Sequence, residues 1–259
     1  MSTTLKGVLL ALVLTAATWA VFEVAATLYA RAAASQPSTD LALPGPGFAD
    51  GARLYRRDCA ACHGPVGDGA GKLAGTVASL IPRNFRGESF RFISTDNGVA
   101  FRADVLRTIR RGIPEVGMPP ALLCTAEEQE LLADYVLELH RLNAGRGQLP
   151  GALLAVPDAA GVAIRVRAGR DLFLANCSAC HGADGKAEGV PALPDSTGRL
   201  IRPRDLSSGV FHGGSTDADL YWRIRAGIPG TAMPSFSREL LTDSQVLDVI
   251  AFVRVLSSS

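Results

Sequence analysis

One five-residue pattern occurs twice in this chain. Cys59-Ala60-Ala61-Cys62-His63 and Cys177-Ser178-Ala179-Cys180-His181 share the pattern C-x-x-C-H, and no other feature limits the possible fold as much. Two thiols three positions apart can add to the two vinyl groups of one porphyrin, which leaves the adjoining His beneath the iron as its proximal ligand. Each copy is followed by a glycine, Gly64 or Gly182. Zinc ribbons also use C-x-x-C, but they need four ligands per metal. One zinc shared by both pairs leaves the repeated text around them without explanation. A thioredoxin-like redox pair requires a βαβ context, which this sequence does not offer.

The repetition reaches the methionines. Met118 lies 55 residues after His63 (118 − 63) and Met233 lies 52 after His181 (233 − 181). Each precedes a proline and follows matching text: Ile109-Arg110-Arg111-Gly112-Ile113-Pro114 in one half, Ile224-Arg225-Ala226-Gly227-Ile228-Pro229 in the other. An iron held by His on one face takes a second ligand or stays open on the other. A thioether there makes the His/Met pair that raises the reduction potential of electron carriers; the plainer reading is two flexible side chains filling core gaps. The fifth cysteine, Cys124, has no counterpart. It is either a small partly buried hydrophobe or a thiolate ligand in place of Met118. His140 and His212 do not recur either. The first suits a helix end, and each is a further alternative to Met at an iron.

On these motifs the chain resembles a class I cytochrome c domain written twice, as in membrane-anchored dihaem cytochromes. The resemblance covers roughly residues 48–142 and 168–259 and implies an all-α fold with two covalently attached haem c groups. It implies that Cys59, Cys62, Cys177 and Cys180 carry thioethers, that His63 and His181 are proximal ligands, and that Met118 and Met233 are distal ligands. It further implies that backbone near the glycine-rich loops (Gly64–Gly75; Gly182–Gly189) orients each proximal His through its other ring nitrogen. Arg83 and Arg204, in the matching Pro82-Arg83-Asn84-Phe85 and Pro203-Arg204-Asp205-Leu206, either pair haem propionates or are solvated. Haem attachment of this type takes place on the outer face of the cytoplasmic membrane, so the domains are expected in a bacterial periplasm.

Residues 1–34 read as an N-terminal membrane anchor. Gly7 to Ala30 holds one charged side chain, Glu23. Its 24 residues make a helix of about 36 Å at roughly 1.5 Å per residue, enough to cross a bilayer core. A cleaved signal peptide is the rival, with small residues at Arg31-Ala32-Ala33-Ala34-Ser35. Glu23 would sit near the outer boundary, as a snorkelling carboxylate or a contact with a partner helix. Residues 35–47 form a Pro/Gly linker. Residues 143–167 form an interdomain segment with enough apolar side chains to lie along a domain.

Within the first domain a helix over Asp50–Cys62 is expected to deliver the haem motif. Leu54 and Tyr55 recur at an offset of 118 as Leu172 and Phe173, an expected packing position against a haem. A helix begins near Asp104 and near Asp219. The stretch Asn97–Arg102 is an insertion expected to shape contacts of one haem with partners. Thr125-Ala-Glu-Glu128 and Thr242-Asp-Ser-Gln245 fit capping boxes. They open amphipathic helices whose apolar faces hold Leu131, Leu132, Tyr135, Val136, Leu139 and Leu142, and Val246, Val249, Ile250, Val253 and Leu256.

With 26 basic and 25 acidic side chains and a formal charge of +1, the chain shows no basic face for nucleic acid. The expected function is relay of single electrons, in or beside a respiratory or photosynthetic complex, without bond chemistry of its own. Its partners would be the membrane and redox proteins. The dihaem subunit of cbb-type oxidases differs in having a second membrane span, which is not evident here. The alternatives are a dihaem enzyme, either a peroxidase or one that oxidises sulfur compounds, and a purely structural or sensory module.

Overall fold

In each half, two helices cross at a glycine. α1 (Phe48–Asp58) packs against α4 (Ala126–Asn143), and α5 (Val166–Asn176) against α8 (Asp243–Leu256). In this computed structural model, which describes residues 47–76, 80–143, 148–158 and 164–258, a Cβ on Gly51 would lie 2.7 Å from the Leu131 carbonyl oxygen. One on Gly169 would lie 1.9 Å from that of Asp248. Only hydrogen lets the two backbones come this close. An aromatic pair then fills each crossing, Tyr55 with Tyr135 at 5.2 Å and Phe173 with Phe252 at 5.3 Å between ring centroids. The expected capping boxes form: Thr125 with Glu128 and Thr242 with Gln245 exchange side chain to backbone bonds. The apolar faces point inward as expected, with Leu131, Leu142 and Leu256 at the half-buried margins.

The helix that delivers each haem motif differs from expectation. Instead of running through Asp50–Cys62, α1 ends at Asp58, and a separate turn of helix, α2 (Ala60–His63), carries the rest of the motif. The second half repeats the break at Cys177 before α6 (Ser178–His181). The first cysteine of each pair has φ near −118°, which turns the chain so that the following residues leave the axis of the first helix.

α3 (Arg102–Arg111) and α7 (Asp217–Ala226) each begin two residues before the expected Asp. Asp104 and Asp219 are the third residues of their helices, and their carboxylates accept the backbone N–H groups of Phe101 and Thr216. A two-stranded hairpin, β1 (Leu193–Pro194) with β2 (Leu200–Ile201), completes the second half. The inserted Asn97–Arg102 stretch also has a role within the chain. Together with Asp96 it holds the interdomain segment: Asp96 N–H donates to Ala152, Asn97 Nδ2 to Leu149. Leu154 N–H donates to Ser94 in the first domain while its side chain is buried in the second core. As expected, residues 148–158 of this segment lie along the domains.

The apolar stretch Gly7–Ala30 and the linker to residue 46 lie outside the described residues. Among the described residues, no helix is long and apolar enough to cross a membrane.

Candidate haem sites

Each site is built from three pieces: the motif turn, the loop that holds its histidine, and the loop that carries the methionine. His63 Nδ1 donates to the Arg83 carbonyl oxygen at 3.1 Å, and His181 Nδ1 donates to that of Arg204 at 3.0 Å. A carbonyl can only accept, so Nδ1 carries the proton in both rings and Nε2 keeps its lone pair for a ligand. The imidazole of His63 also stacks on Phe85 at 4.6 Å. Burial pushes both histidines below their ordinary pKa, which favours the neutral ring that a metal needs. The carbonyls are in place because each glycine-rich loop is tied to the segment bearing the arginine. Phe85 N–H donates to Gly67, and Leu206 N–H to Gly185.

Met118 and Met233 sit on equivalent loops. Ile113 and Met118 pair across a tight bridge, and Ile228 N–H donates to Met233. Gly112 and Gly227 have φ of 65° and 67°, in the region that glycine enters freely. A Cβ on either would meet the backbone of the Met-Pro segment within 2.7 Å. The repeated Gly-Ile-Pro text is therefore what folds the methionine loop back on the helix before it.

In the second half Cys177, Cys180, His181 and Met233 line one cavity of about 410 Å³, walled by Phe173, Leu220 and other apolar side chains. A largely apolar pocket that presents two thiols, one neutral imidazole and one thioether fits a covalently attached haem. The two C-x-x-C pairs pack against different cores, Cys59 against the first and Cys177 against the second, so they do not assemble one four-sulfur site. Burial pushes the Cys59 and Cys177 thiols up to about 12 and 11.

The comparisons with known proteins divide the chain in the same way. Residues 46–136 match the family model of cytochrome c oxidase, cbb3-type, subunit III, and residues 166–257 match that of cytochrome c. The chain belongs to the dihaem c-type cytochromes. Each half of this cytochrome carries one haem c attachment sequence. Curated relatives include the cbb3-type cytochrome c oxidase subunit CcoP of Azospirillum sp. (strain B510), 36% identical over 34% of this chain and 30% of the relative. That of Rhodobacter capsulatus is 26% identical over 80% and 61%. The chain thus spans about a third to three fifths of the length of these relatives. Among solved structures, a chain of the Kuenenia stuttgartiensis reducing HAO-like protein complex is similar with a TM-score of 0.69 and 30% identity, over 80% of this cytochrome and 95% of that chain.

Of the remaining expected residues, Arg204 lines the second cavity as well. The Cys124 thiol donates to Asp58 at 3.2 Å and receives an N–H from Arg57, so it braces the end of α1. His140 is bonded to the Phe85 carbonyl at 3.0 Å and packs on Phe90, which commits it structurally. His212 lines the second cavity. Arg83 is paired with Glu88, and Arg204 donates to the Val210 carbonyl.

Two residues that hold the methionine loops escaped the sequence reading. Arg225 is buried, and its Nη1 donates to the carbonyls of Phe236, Ser237 and Leu241 just beyond Met233, while Nη2 reaches Asp243 at 2.5 Å. The first half uses Gln129 instead, donating to Ala121 and Cys124 beyond Met118. The sequence equivalent of Arg225 is Arg110, which stays exposed and bonds Gln129. Different residue types from different helices do one job, so the repeat conceals it.

Proposed function

We propose that this cytochrome relays single electrons on the periplasmic face of a bacterial inner membrane, as a subunit of a respiratory complex or beside one. The observation that carries this reading is the doubled site: two imidazoles, each with Nδ1 spent on a backbone carbonyl and Nε2 free. Each lies in a chain half with its own core and its own Met-Pro loop. When bound, haem iron supplies the one-electron couple. The chain fixes the ligand nitrogen, keeps water from the ring and presents the thioether. In this reading Cys59, Cys62 and Cys177, Cys180 hold the porphyrins, His63 and His181 are proximal ligands, and Met118 and Met233 are distal ligands. A thioether ligand on both faces-in-waiting favours a carrier over an enzyme with an open iron.

The same reading divides the chain into an anchor at 1–34, a linker at 35–47, domains at 48–142 and 168–259, and a connecting segment at 143–167. A membrane anchor is supported by the apolar run Gly7–Ala30. A complex as host is supported by the relatives, which are subunits of cbb3-type oxidases.

The test is the mass and spectrum of the protein isolated from membranes. Two covalent porphyrins and a near-infrared sulfur–iron band from each haem are expected. Met118→His and Met233→His each remove one of the two bands. A mass without porphyrin, or a five-coordinate iron in either half, contradicts the reading.

A further inference from the structure

Among the described residues, four polar side-chain atoms are buried without a hydrogen-bond partner: Arg91 Nε, His212 Nε2, and Nε and Nη1 of Arg223. All three residues line the cavity that holds Cys177, Cys180, His181 and Met233. An unpaired buried donor is destabilising. Three guanidinium donors and one imidazole nitrogen, all on residues that line one cavity, mark a partner that the chain itself does not provide. The nearby carboxylates are already engaged. Asp195 takes Arg91 Nη2 at 2.8 Å and also Arg199, while Asp219 takes Thr216 and Arg111. Positive charge is left over at this rim, and guanidinium groups suit a carboxylate.

Arg91 belongs to the first domain. It stands three residues before Ser94, as His212 stands three before Ser215 (94 − 91; 215 − 212). The repeat alone therefore assigns Arg91 to the first haem, yet it lines the second cavity. Its neighbour Phe92 crosses with it. A Cβ on Gly213 would lie 2.4 Å from the Phe92 ring, and the Arg223 guanidinium lies 5.3 Å from that ring's centroid.

We propose that Arg91, His212 and Arg223 form the receptor for the carboxylates of the second haem, and that the first domain completes it. The inference rests on the second cavity holding a haem. His212 then donates from Nε2, Arg223 from Nε and Nη1, and Arg91 from Nε while it keeps Asp195. A carboxylate held by Arg91 together with His212 or Arg223 would be gripped by residues of both domains, so seating this haem would tie the two domains together. Arg91 is a positioning residue: it acts on the second iron through the porphyrin's carboxylates.

The experiment uses the full-length protein loaded with both haems, with Arg91→Gln and Arg91→Lys. Each haem is titrated separately by its own hyperfine-shifted methyl resonances, the second identified by contacts with Phe211. Arg91→Gln removes a cation beside the carboxylates and shifts the second haem about tenfold toward the ferric state, about 59 mV for one electron. The first haem moves less than twofold. Arg91→Lys keeps the charge without the fork and shifts the second haem by a smaller factor in the same direction. If the glutamine variant does not load, the lysine variant carries the test. An unchanged second haem, or equal shifts in both, overturns the inference. A mass short of the second porphyrin in the unsubstituted protein overturns the reading of the site itself.

Discussion

A backbone carbonyl fixes the tautomer of His63 and of His181 and leaves Nε2 available for the ligand role proposed above. The supports behind them are single residues with measurable effects. Tyr55 is fully buried and donates its hydroxyl to the Gly64 carbonyl at 2.8 Å, directly after His63. Tyr55→Phe is expected to lower stability by about 1 kcal/mol in urea unfolding and to leave the second haem's spectrum unchanged. Arg225 is the stronger case, since one guanidinium satisfies three carbonyls beyond Met233. Arg225→Met takes the side-chain donor from all three and leaves only the Ser237 carbonyl with the backbone N–H groups of Leu240 and Leu241. A loss of about 3 kcal/mol or more is expected, with weakening of the second haem's sulfur–iron band alone. Weakening of both bands would show that the loop is not held locally. The capping threonines and the ligand candidates were legible from residue types and spacing. Arg225 and Gln129 were not, because their role depends on which carbonyls the folded loops leave without donors.

Glycine in a helix normally weakens it, and replacement by alanine stabilises by about 1 kcal/mol. Gly51 and Gly169 reverse that sign because each lies where two helices touch. A Cβ would enter the backbone of α4 or α8, and overpacking of this kind costs about 1–3 kcal/mol. Gly51→Ala and Gly169→Ala are both expected to destabilise, the second more, since its Cβ would lie 1.9 Å from the Asp248 oxygen against 2.7 Å from that of Leu131. Urea midpoints check this, and a gain in stability for either would contradict the crossing. Thr242→Ala should remove about 1 kcal/mol through loss of the cap on α8. The helices themselves could be read from periodicity and capping text. The break at Cys59 and Cys177 could not, because helix propensity varies smoothly across each motif while the turn between α1 and α2 is set by packing.

Several ion pairs cross between the two domains. Arg111 and Arg107 of the first reach Asp219 of the second, Arg91 reaches Asp195, and Arg199 reaches Glu88. Arg107 also lies 4.5 Å from the Trp222 ring centroid. Burial raises the pKa of Asp219, but hydrogen bonds from Thr216 and the Arg111 cation outweigh it and hold the carboxyl below the usual range. Asp195 is held well below that range in the same way: bonds from Thr197 and Arg199 overcome its burial. A carboxyl whose folded pKa is depressed contributes stability above its unfolded pKa and loses it as pH falls through the folded value. Stability should therefore be level above about pH 4 and fall below it. Asp219→Asn should lower the level region and flatten the acid slope, measured by chemical unfolding across pH; an unchanged slope would remove Asp219 from the interface. From its sequence alone this protein was determined to be a tandem pair of haem c domains with one imidazole and one thioether candidate each. Covalent attachment chemistry ties those residues to fixed spacings along the chain. Only the tertiary structure decided which carbonyls hold the histidines, which residues hold the methionine loops, and that Arg91 lines the cavity of the other domain. Those contacts join residues far apart in the chain, and no local pattern encodes them.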